Sequence, residues 1–297
     1  MQALYQFREK YSYDDPLAWM KPFVDEHIVP HVPQKFQNTE IVKENLHTLI
    51  FGITLYTTIF QFSKLIFMFP TISNALKSKK NRLDGSVRVV SFIQAIIICV
   101  LGIPVFKNEH LSKDHVFAST PYARFYASMA LSYFIWDTVI STIYVNLFGV
   151  GFLVHGIVST IVFGIAVEKN FILYYSAAFL LFEISTPFLD IRWVGLKFKV
   201  LPDFVKLLNN IILILIFFFV RICWGWYQVI KLAKDLYVAS DEPGFTTFGA
   251  CVILGCNFVL DVLNVFWFSK MMTVAVVTIK QMVGFSKKAD DEKLKLM

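Results

Sequence analysis

The sequence predicts an all-α fold, a polytopic transmembrane helix bundle of about seven spans. Of its 297 residues, 56% are hydrophobic, 31 are phenylalanine and only 17% are charged, whereas a soluble domain carries about 25% charged residues. The apolar residues are grouped in blocks, and about 20 of them suffice for one transmembrane helix. Because lipid offers the backbone no hydrogen-bond partner, each block is expected to be helical. A water-soluble fold would need seven buried helices and would have almost no surface.

Residues 1–46 form an N-terminal segment that we expect at the lumenal side or the membrane interface. It contains Pro16, Pro22, Pro30 and Pro33, which exclude a long helix but allow short amphipathic pieces. The segment has no apolar stretch behind a basic start, so it is not predicted to be a cleavable signal peptide.

The rest of the chain divides into a first span with its loop, 47–84, a helical domain, 85–270, and a charged cytosolic tail, 271–297. Very short links join the third to fifth spans, which are therefore antiparallel neighbours. The seven predicted spans are 47–69, 87–106, 125–143, 149–167, 171–188, 207–229 and 245–269.

The distribution of lysine and arginine predicts the orientation. The loops 70–86 and 189–206 and the chain from 270 onward hold fourteen of these residues, against eight in the membrane-proximal regions of the other side. The excess places the first set in the cytosol and the N-terminus in the lumen. Lys293 and Lys295 match the dilysine pattern of endoplasmic reticulum proteins, although a charged tail also produces it by chance. We therefore expect the protein in the endoplasmic reticulum or the Golgi.

Five ionisable residues of the predicted spans are singled out, Asp137, His155, Glu183, Arg221 and Asp261, because charge inside a bilayer is costly unless it faces protein or a cavity. On this topology Asp137, His155 and Glu183 lie within about 10 Å of the cytosolic membrane face, at about 1.5 Å per residue. Asp261 lies in the same half, and Arg221 lies deeper. The sequence therefore predicts a polar cavity in the cytosolic half of the bundle. Its predicted lining is Trp136, Gly156, Glu183, Ser185, Asn210, Arg221 and Asp261.

A catalytic role is predicted for His155 and Asp137, because a neutral imidazole beside a carboxylate is a plausible general base. Structural roles remain open for the same residues. Asp137 could pair with Arg221, and His155 could be a hydrogen-bonded core residue. Glu183 could cap or bind a neighbouring helix through Ser185 or Thr186, and Asp261 could pair with Asn264.

Pro187 should kink or end the fifth span, because proline lacks an N–H and disfavours helix just before itself. Ser185 and Thr186 can then bond the freed carbonyls, and Arg192 with Trp193 would form a cytosolic interface anchor.

The strings "YFIWD", "HGIVST" and "FEISTPFLDIRW" resemble the TLC domain, over about residues 85–270. The match is closer to small TLC-domain proteins than to ceramide synthases. The resemblance implies a helical bundle of the endomembranes with a role in lipid metabolism, sensing or balance. Ceramide synthases carry a tandem His-His in the segment that matches "HGIVST"; His155 matches the first histidine, and Gly156 replaces the second.

Three functions follow from these observations. The first is lipid homeostasis through a cavity that binds a lipid or acyl chain. The second is an acyl-CoA-dependent N-acyltransferase with His155 as general base. The third is a lipid transporter or scramblase, although the sequence has no inverted repeat of the usual kind. Whether the protein is an enzyme stays open.

The expected partners are membrane lipids, and no cofactor is predicted apart from acyl-CoA as co-substrate of an enzyme. The net charge of +6 is explained by the basic loops, so nucleic-acid binding is not expected. No metal site is predicted, because the histidines are scattered and no two cysteines form a C-x-x-C pair. The sequence does not identify protein partners.

Overall fold

The computed structural model describes residues 14–76 and 78–282. The described chain is helical and contains no β-strand. We label nine helices: α1 Leu46–Ile66, α2 Lys79–Phe106, α3 Pro121–Ile143, α4 Val150–Lys169, α5 Leu173–Leu180, α6 Thr186–Phe198, α7 Asp203–Ile216, α8 Gly225–Val238 and α9 Thr247–Met282. The 3₁₀ segment Leu181–Ser185 joins α5 to α6, and π-helical turns, Ile41–Asn45 and Phe217–Trp224, precede α1 and α8.

Five helices are long and apolar enough to cross a membrane, which confirms the polytopic helical fold. The five, which correspond to the first, second, fourth, sixth and seventh predicted spans, are Ile41–Ile66, Lys79–Phe106, Val150–Lys169, Asp203–Val238 and Thr247–Thr278.

The third predicted span is α3, which forms the centre of the bundle. Fifteen of its 23 residues are buried, and it packs against α1, α2, α4 and α5. Pro121 occupies its first turn, and the Thr120 hydroxyl caps it by accepting a hydrogen bond from the Ala123 N–H at 3.1 Å. Because α3 is surrounded by protein, it tolerates serine and tyrosine at positions where a lipid-facing helix needs aliphatic residues.

The fifth predicted span, 171–188, differs from the expectation. The α-helix ends at Leu180, a 3₁₀ turn follows, and Pro187 lies in the first turn of α6, which continues to Phe198. Proline fits there because its missing N–H needs no intrahelical partner. As predicted, the Ser185 hydroxyl donates to a backbone carbonyl, that of Phe182, at 2.9 Å. Thr186 instead donates to the Glu183 side chain.

The last two helices extend beyond the predicted spans. The sixth runs from Asp203 to Val238 through the π-helical turn, and α9 extends to Met282 instead of ending at 269. The chain has no glycine or proline from 256 to 283, so nothing stops the helix at Lys270. Asp261 lies within α9 and within the predicted span 245–269.

The two predicted sets of loops lie at opposite ends of the bundle. At one end the Trp193 indole N–H donates to Asp84 at 2.6 Å, and Arg88 pairs with Asp190 at 2.9 Å. Trp193 is buried against Phe67, so it is a packing residue and not the exposed interface anchor that we expected.

At the other end the N-terminal segment joins the α1 end of the bundle. His47 binds Asp15 at 2.8 Å, and Asn170 donates to Glu40 at 3.2 Å. The segment contains only short helices, Ala18–Met20, Lys21–His27, Val29–His31 and Gln34–Gln37, as its prolines predicted. The remaining short helices are Pro70–Leu76, Glu109–Lys113 and Val145–Phe148. Lys293 and Lys295 lie outside the described residues.

Candidate functional site

A cavity of about 50 Å³ lies between α4, α5 and α9, at the level of the π-helical turn of the sixth span. Its walls are mostly apolar and aromatic, with Phe134, Phe163 and Phe179 among them. Polar groups reach it from five elements of the fold. They are His155, Ser159, Tyr175, Ser176, Glu183, Arg221, Asn257 and Asn264.

The Arg221 guanidinium is the most extensively bonded group of the cavity. It lies 3.6 Å from the Glu183 carboxylate. Its Nε donates to the Ser185 hydroxyl at 2.8 Å and to the Phe182 carbonyl at 3.2 Å, and Nη2 donates to Thr186 at 3.3 Å. These contacts hold the Arg221–Glu183 pair at the 3₁₀ turn before α6. There the irregular backbone leaves the Phe182 carbonyl available to accept a hydrogen bond from Arg221. A buried arginine with a full set of partners is a stable cation inside a bilayer.

His155 forms the opposite wall, on α4. Its Nδ1 lies 4.0 Å from the Asp137 carboxylate on α3, which is ion-pair range but longer than a hydrogen bond. Its ring packs near the rings of Phe134 and Trp267, with centroid separations of 6.0 and 5.8 Å. The imidazole therefore faces protein and not lipid, with one carboxylate close to it.

Gly156 brings α3 and α4 into close contact. A Cβ atom at this position would lie 2.8 Å from the Thr138 hydroxyl oxygen and 3.2 Å from the Thr138 Cα. One turn later Thr160 and Thr138 are hydrogen-bonded at 3.1 Å. A second histidine at position 156 is therefore excluded by helix packing, which is the usual role of small residues between membrane helices.

The model of the TLC domain family matches residues 84–273. The chain belongs to the TLC domain family. The match confirms the resemblance, and this TLC domain contains all of the cavity-lining residues.

Relatives of this TLC-domain protein are known from yeast and human. An Uncharacterized TLC domain-containing protein of Saccharomyces cerevisiae is 36% identical, with 82% of this chain and 87% of the relative covered. Topoisomerase I damage affected protein 4 of the same yeast is 28% identical, over 86% and 90% of the two chains. TLC domain-containing protein 4 of Homo sapiens is 28% identical, over 67% and 76%.

Three of the predicted site residues line the cavity of the TLC domain: His155, Glu183 and Arg221. Asp137 stands directly behind His155, and Ser185 holds the Arg221 guanidinium. Gly156 lies at the α3–α4 contact. These residues come from four predicted spans.

Trp136 and Asn210 lie outside the cavity. Trp136 packs against Phe60 of α1, with ring centroids 5.6 Å apart, because it is turned about 100° around the helix from Asp137. Asn210 accepts a hydrogen bond from Arg192 at 2.8 Å. It is eleven residues from Arg221 along the sixth span, which is roughly 16 Å.

Two structural alternatives are not realised within the described part of the chain. Arg221 pairs with Glu183 and not with Asp137. Asn264 accepts a hydrogen bond from Arg221 at 3.4 Å, and Asp261 has no recorded bond to it. The alternative for Glu183 is realised, because the Thr186 hydroxyl donates to it at 2.7 Å.

Sequence reasoning missed Ser159, Ser176 and Asn257 as cavity residues. Ser159 follows His155 by four residues, and Asn257 precedes Asp261 by four. Residues four apart share a helix face, so this spacing from an intramembrane ionisable group was the available signal.

Proposed function

We propose that this multi-pass TLC-domain protein takes part in lipid homeostasis by binding a lipid or an acyl chain in the cavity between α4, α5 and α9. The observation that carries the proposal is the composition of the cavity, in which apolar and aromatic walls surround a small number of convergent polar groups. Ligand sites generally have this composition. The cavity opens between helices that are apolar enough to lie in a bilayer, so membrane lipids are the expected ligands.

The charge of the cavity favours a polar but uncharged group of the ligand. Arg221 and Glu183 are 3.6 Å apart and together carry no net charge. Ser159, Ser176, Asn257 and Asn264 add neutral groups that can donate and accept hydrogen bonds. A hydroxyl or amide of a lipid matches these partners better than a bare phosphate does.

The size of the cavity limits what enters it. A volume of about 50 Å³ equals that of roughly three to five water molecules at 10–15 Å³ each. A whole lipid is much larger, so the ligand would enter by one polar group or one chain end, and its remainder would lie outside the cavity.

A cavity-filling variant tests this proposal. The side chain of Ser159 is buried and lines the cavity, so Ser159→Leu should fill it. The matched control is Gly164→Leu on the same helix, because a Cβ at Gly164 has no atom within 4 Å. We expect lipid that co-purifies with the protein in detergent, measured by mass spectrometry, to be lost from Ser159→Leu and retained by Gly164→Leu. Equal lipid content in both folded variants, or none in the wild type, would refute the proposal.

A second candidate is acyl-CoA-dependent N-acyl transfer, which the 4.0 Å approach of Asp137 to His155 favours. His155 would take the proton of the attacking amine, and Asp137 would orient the imidazole. The two-histidine arrangement of ceramide synthases is not available to this chain, because position 156 has no room for a side chain.

The assay for this candidate incubates membranes with labelled acyl-CoA and a panel of amines. Loss of product in His155→Ala, with partial loss in Asp137→Asn, is the expected result for an enzyme. Equal product from wild type and His155→Ala would remove His155 from the mechanism and leave lipid binding as the function.

We further propose that the protein resides in the endoplasmic reticulum or the Golgi, with its N-terminus in the lumen and its C-terminus in the cytosol. The basic residues of loops 70–86 and 189–206 support this orientation, since cytosolic loops are enriched in lysine and arginine.

A further inference from the structure

The sixth span and α9 face each other through two rows of three buried residues. Five of these six residues are polar. Members of each row are spaced by four and then three residues, so each row occupies a single helix face. The rows are Arg221, Gly225 and Gln228 on the sixth span, and Asn257, Asp261 and Asn264 on α9. We call these six residues the polar seam.

The register of the polar seam is given by two contacts. Arg221 donates to Asn264 at 3.4 Å, and a Cβ at Gly225 would lie 3.4 Å from Asp261 Oδ1. Because α8 and α9 are joined by the short turn 239–246, they run antiparallel, and Gln228 continues the row toward Asn257. A Cβ at Gly225 would also lie 3.0 Å from Phe182 Cζ, so the lack of a side chain at Gly225 lets both the Phe182 ring and the Asp261 carboxylate approach the backbone of the sixth span.

Two oxygen atoms of the polar seam have no hydrogen-bond partner within the described part of the chain. They are Asp261 Oδ2 and Gln228 Oε1, and the two residues are only 2% and 1% exposed. No lysine, arginine or histidine nitrogen among the described residues lies within 4.0 Å of the Asp261 carboxylate. A buried acceptor without a donor is costly, and an unpaired carboxylate inside a membrane-spanning helix is more so.

We propose that the polar seam binds one monovalent alkali cation, such as Na⁺, between Asp261 and Gln228. Carboxylate and amide oxygens are hard ligands of the kind that such cations prefer. The single carboxylate balances a single positive charge, whereas a divalent ion would leave an uncompensated charge in a medium of low dielectric constant. In secondary transporters coupling ions bind beside interrupted helices, and in this chain the π-helical turn Phe217–Trp224 ends directly before Gly225.

The proposal is independent of what the cavity binds. Asn257 and Asn264 belong both to the polar seam and to the cavity wall, so a bound cation stabilises that wall with or without a lipid. If no cation is bound, Asp261 is expected to carry a proton. The experiment therefore has to distinguish a bound cation from a protonated Asp261.

The experiment uses the purified full-length protein in detergent at constant pH and ionic strength. NaCl replaces choline chloride stepwise while thermal unfolding is followed, and binding of radioactive Na⁺ is measured in parallel. We expect the Tm to rise with Na⁺ and saturate, because a ligand that binds only the folded state stabilises it. Asp261→Asn and Gln228→Met should each weaken the apparent Na⁺ affinity by about tenfold or more, the effect of losing about 1.4 kcal/mol of binding.

Asp190→Asn is the matched control, because Asp190 is a buried carboxylate whose partners, Arg88 and Ser91, are present. This variant should keep the wild-type response to Na⁺. If wild type binds no Na⁺ and its Tm is the same in NaCl and choline chloride, the proposal is wrong and Asp261 is protonated. If Asp261→Asn does not fold, the Na⁺ affinity of Gln228→Met is compared with the wild-type binding isotherm, and an unchanged affinity contradicts the proposal. Lipid retention is a separate measurement, so failure here leaves the lipid proposal standing.

Discussion

Removing the Arg221 guanidinium should destabilise the protein more than any surface charge does. In Arg221→Met the Glu183 carboxylate loses the cation 3.6 Å away, and Ser185 and Phe182 lose a donor. The side chain that remains fills similar space, so the loss is mainly electrostatic. Glu183 keeps one recorded partner, the Thr186 hydroxyl at 2.7 Å, which does not neutralise its charge.

The expected magnitude follows from the burial of the pair. Breaking a buried ion pair by removing one partner costs about 3–5 kcal/mol. At 2–4 °C for each kcal/mol, this corresponds to a fall in Tm of roughly 6–20 °C. The double variant Arg221→Met, Glu183→Gln removes both charges, and it should recover about 1–3 kcal/mol of the loss, since no unpaired buried charge remains.

The assay is thermal unfolding of the purified variants in detergent, followed by intrinsic tryptophan fluorescence. Lys21→Met is the control, because its pair with Asp25 is surface-exposed and should contribute less than about 1 kcal/mol. A wild-type Tm for Arg221→Met would refute the argument. A double variant less stable than Arg221→Met would show that the hydrogen bonds of Glu183, and not its unpaired charge, dominate.

Three further predictions concern packing and topology. Gly156→Ala should lose about 1–3 kcal/mol of stability through overpacking, while Gly164→Ala, in open space on the same helix, should gain about 0.5–1 kcal/mol; chemical or thermal unfolding compares the two. Trp193→Phe removes the 2.6 Å bond to Asp84 and should cost about 1.5–3 kcal/mol, the range for a hydrogen bond to a charged group. A cysteine at the exposed position 240, in an otherwise cysteine-free chain, should resist membrane-impermeant maleimide in sealed microsomes, and labelling before permeabilisation would invert the proposed orientation.

The helical fold was predictable because lipid imposes it. A block of about 20 apolar residues in a bilayer has no alternative to the helix, and all seven predicted blocks are helical in the structure. The ends of the helices were less predictable. The last predicted span ends at 269, whereas α9 continues to Met282, in a stretch that contains neither of the common helix-ending residues, glycine and proline.

The candidate site was predictable in its residue types and its depth, but not in its pairing. Charges inside the spans are rare enough to be recognised, and topology places Asp137, His155 and Glu183 at one level. Which acid pairs with Arg221 depends on the 3₁₀ turn Leu181–Ser185, which directs Glu183 and not Asp137 toward it. Short-range spacing does not reveal that turn, because it forms only within the packed bundle.

The amino-acid sequence by itself determined that this chain is a helical, multi-pass membrane protein with a few ionisable residues inside its spans. Composition suffices for this conclusion, because the bilayer acts on each segment separately. Only the tertiary structure decided which side chains meet: Gly156 against Thr138, Arg221 against Glu183, and the facing rows of the polar seam. These contacts depend on the rotation of each helix about its axis and on its register against its neighbours, and both are set by packing between segments that are distant in the chain.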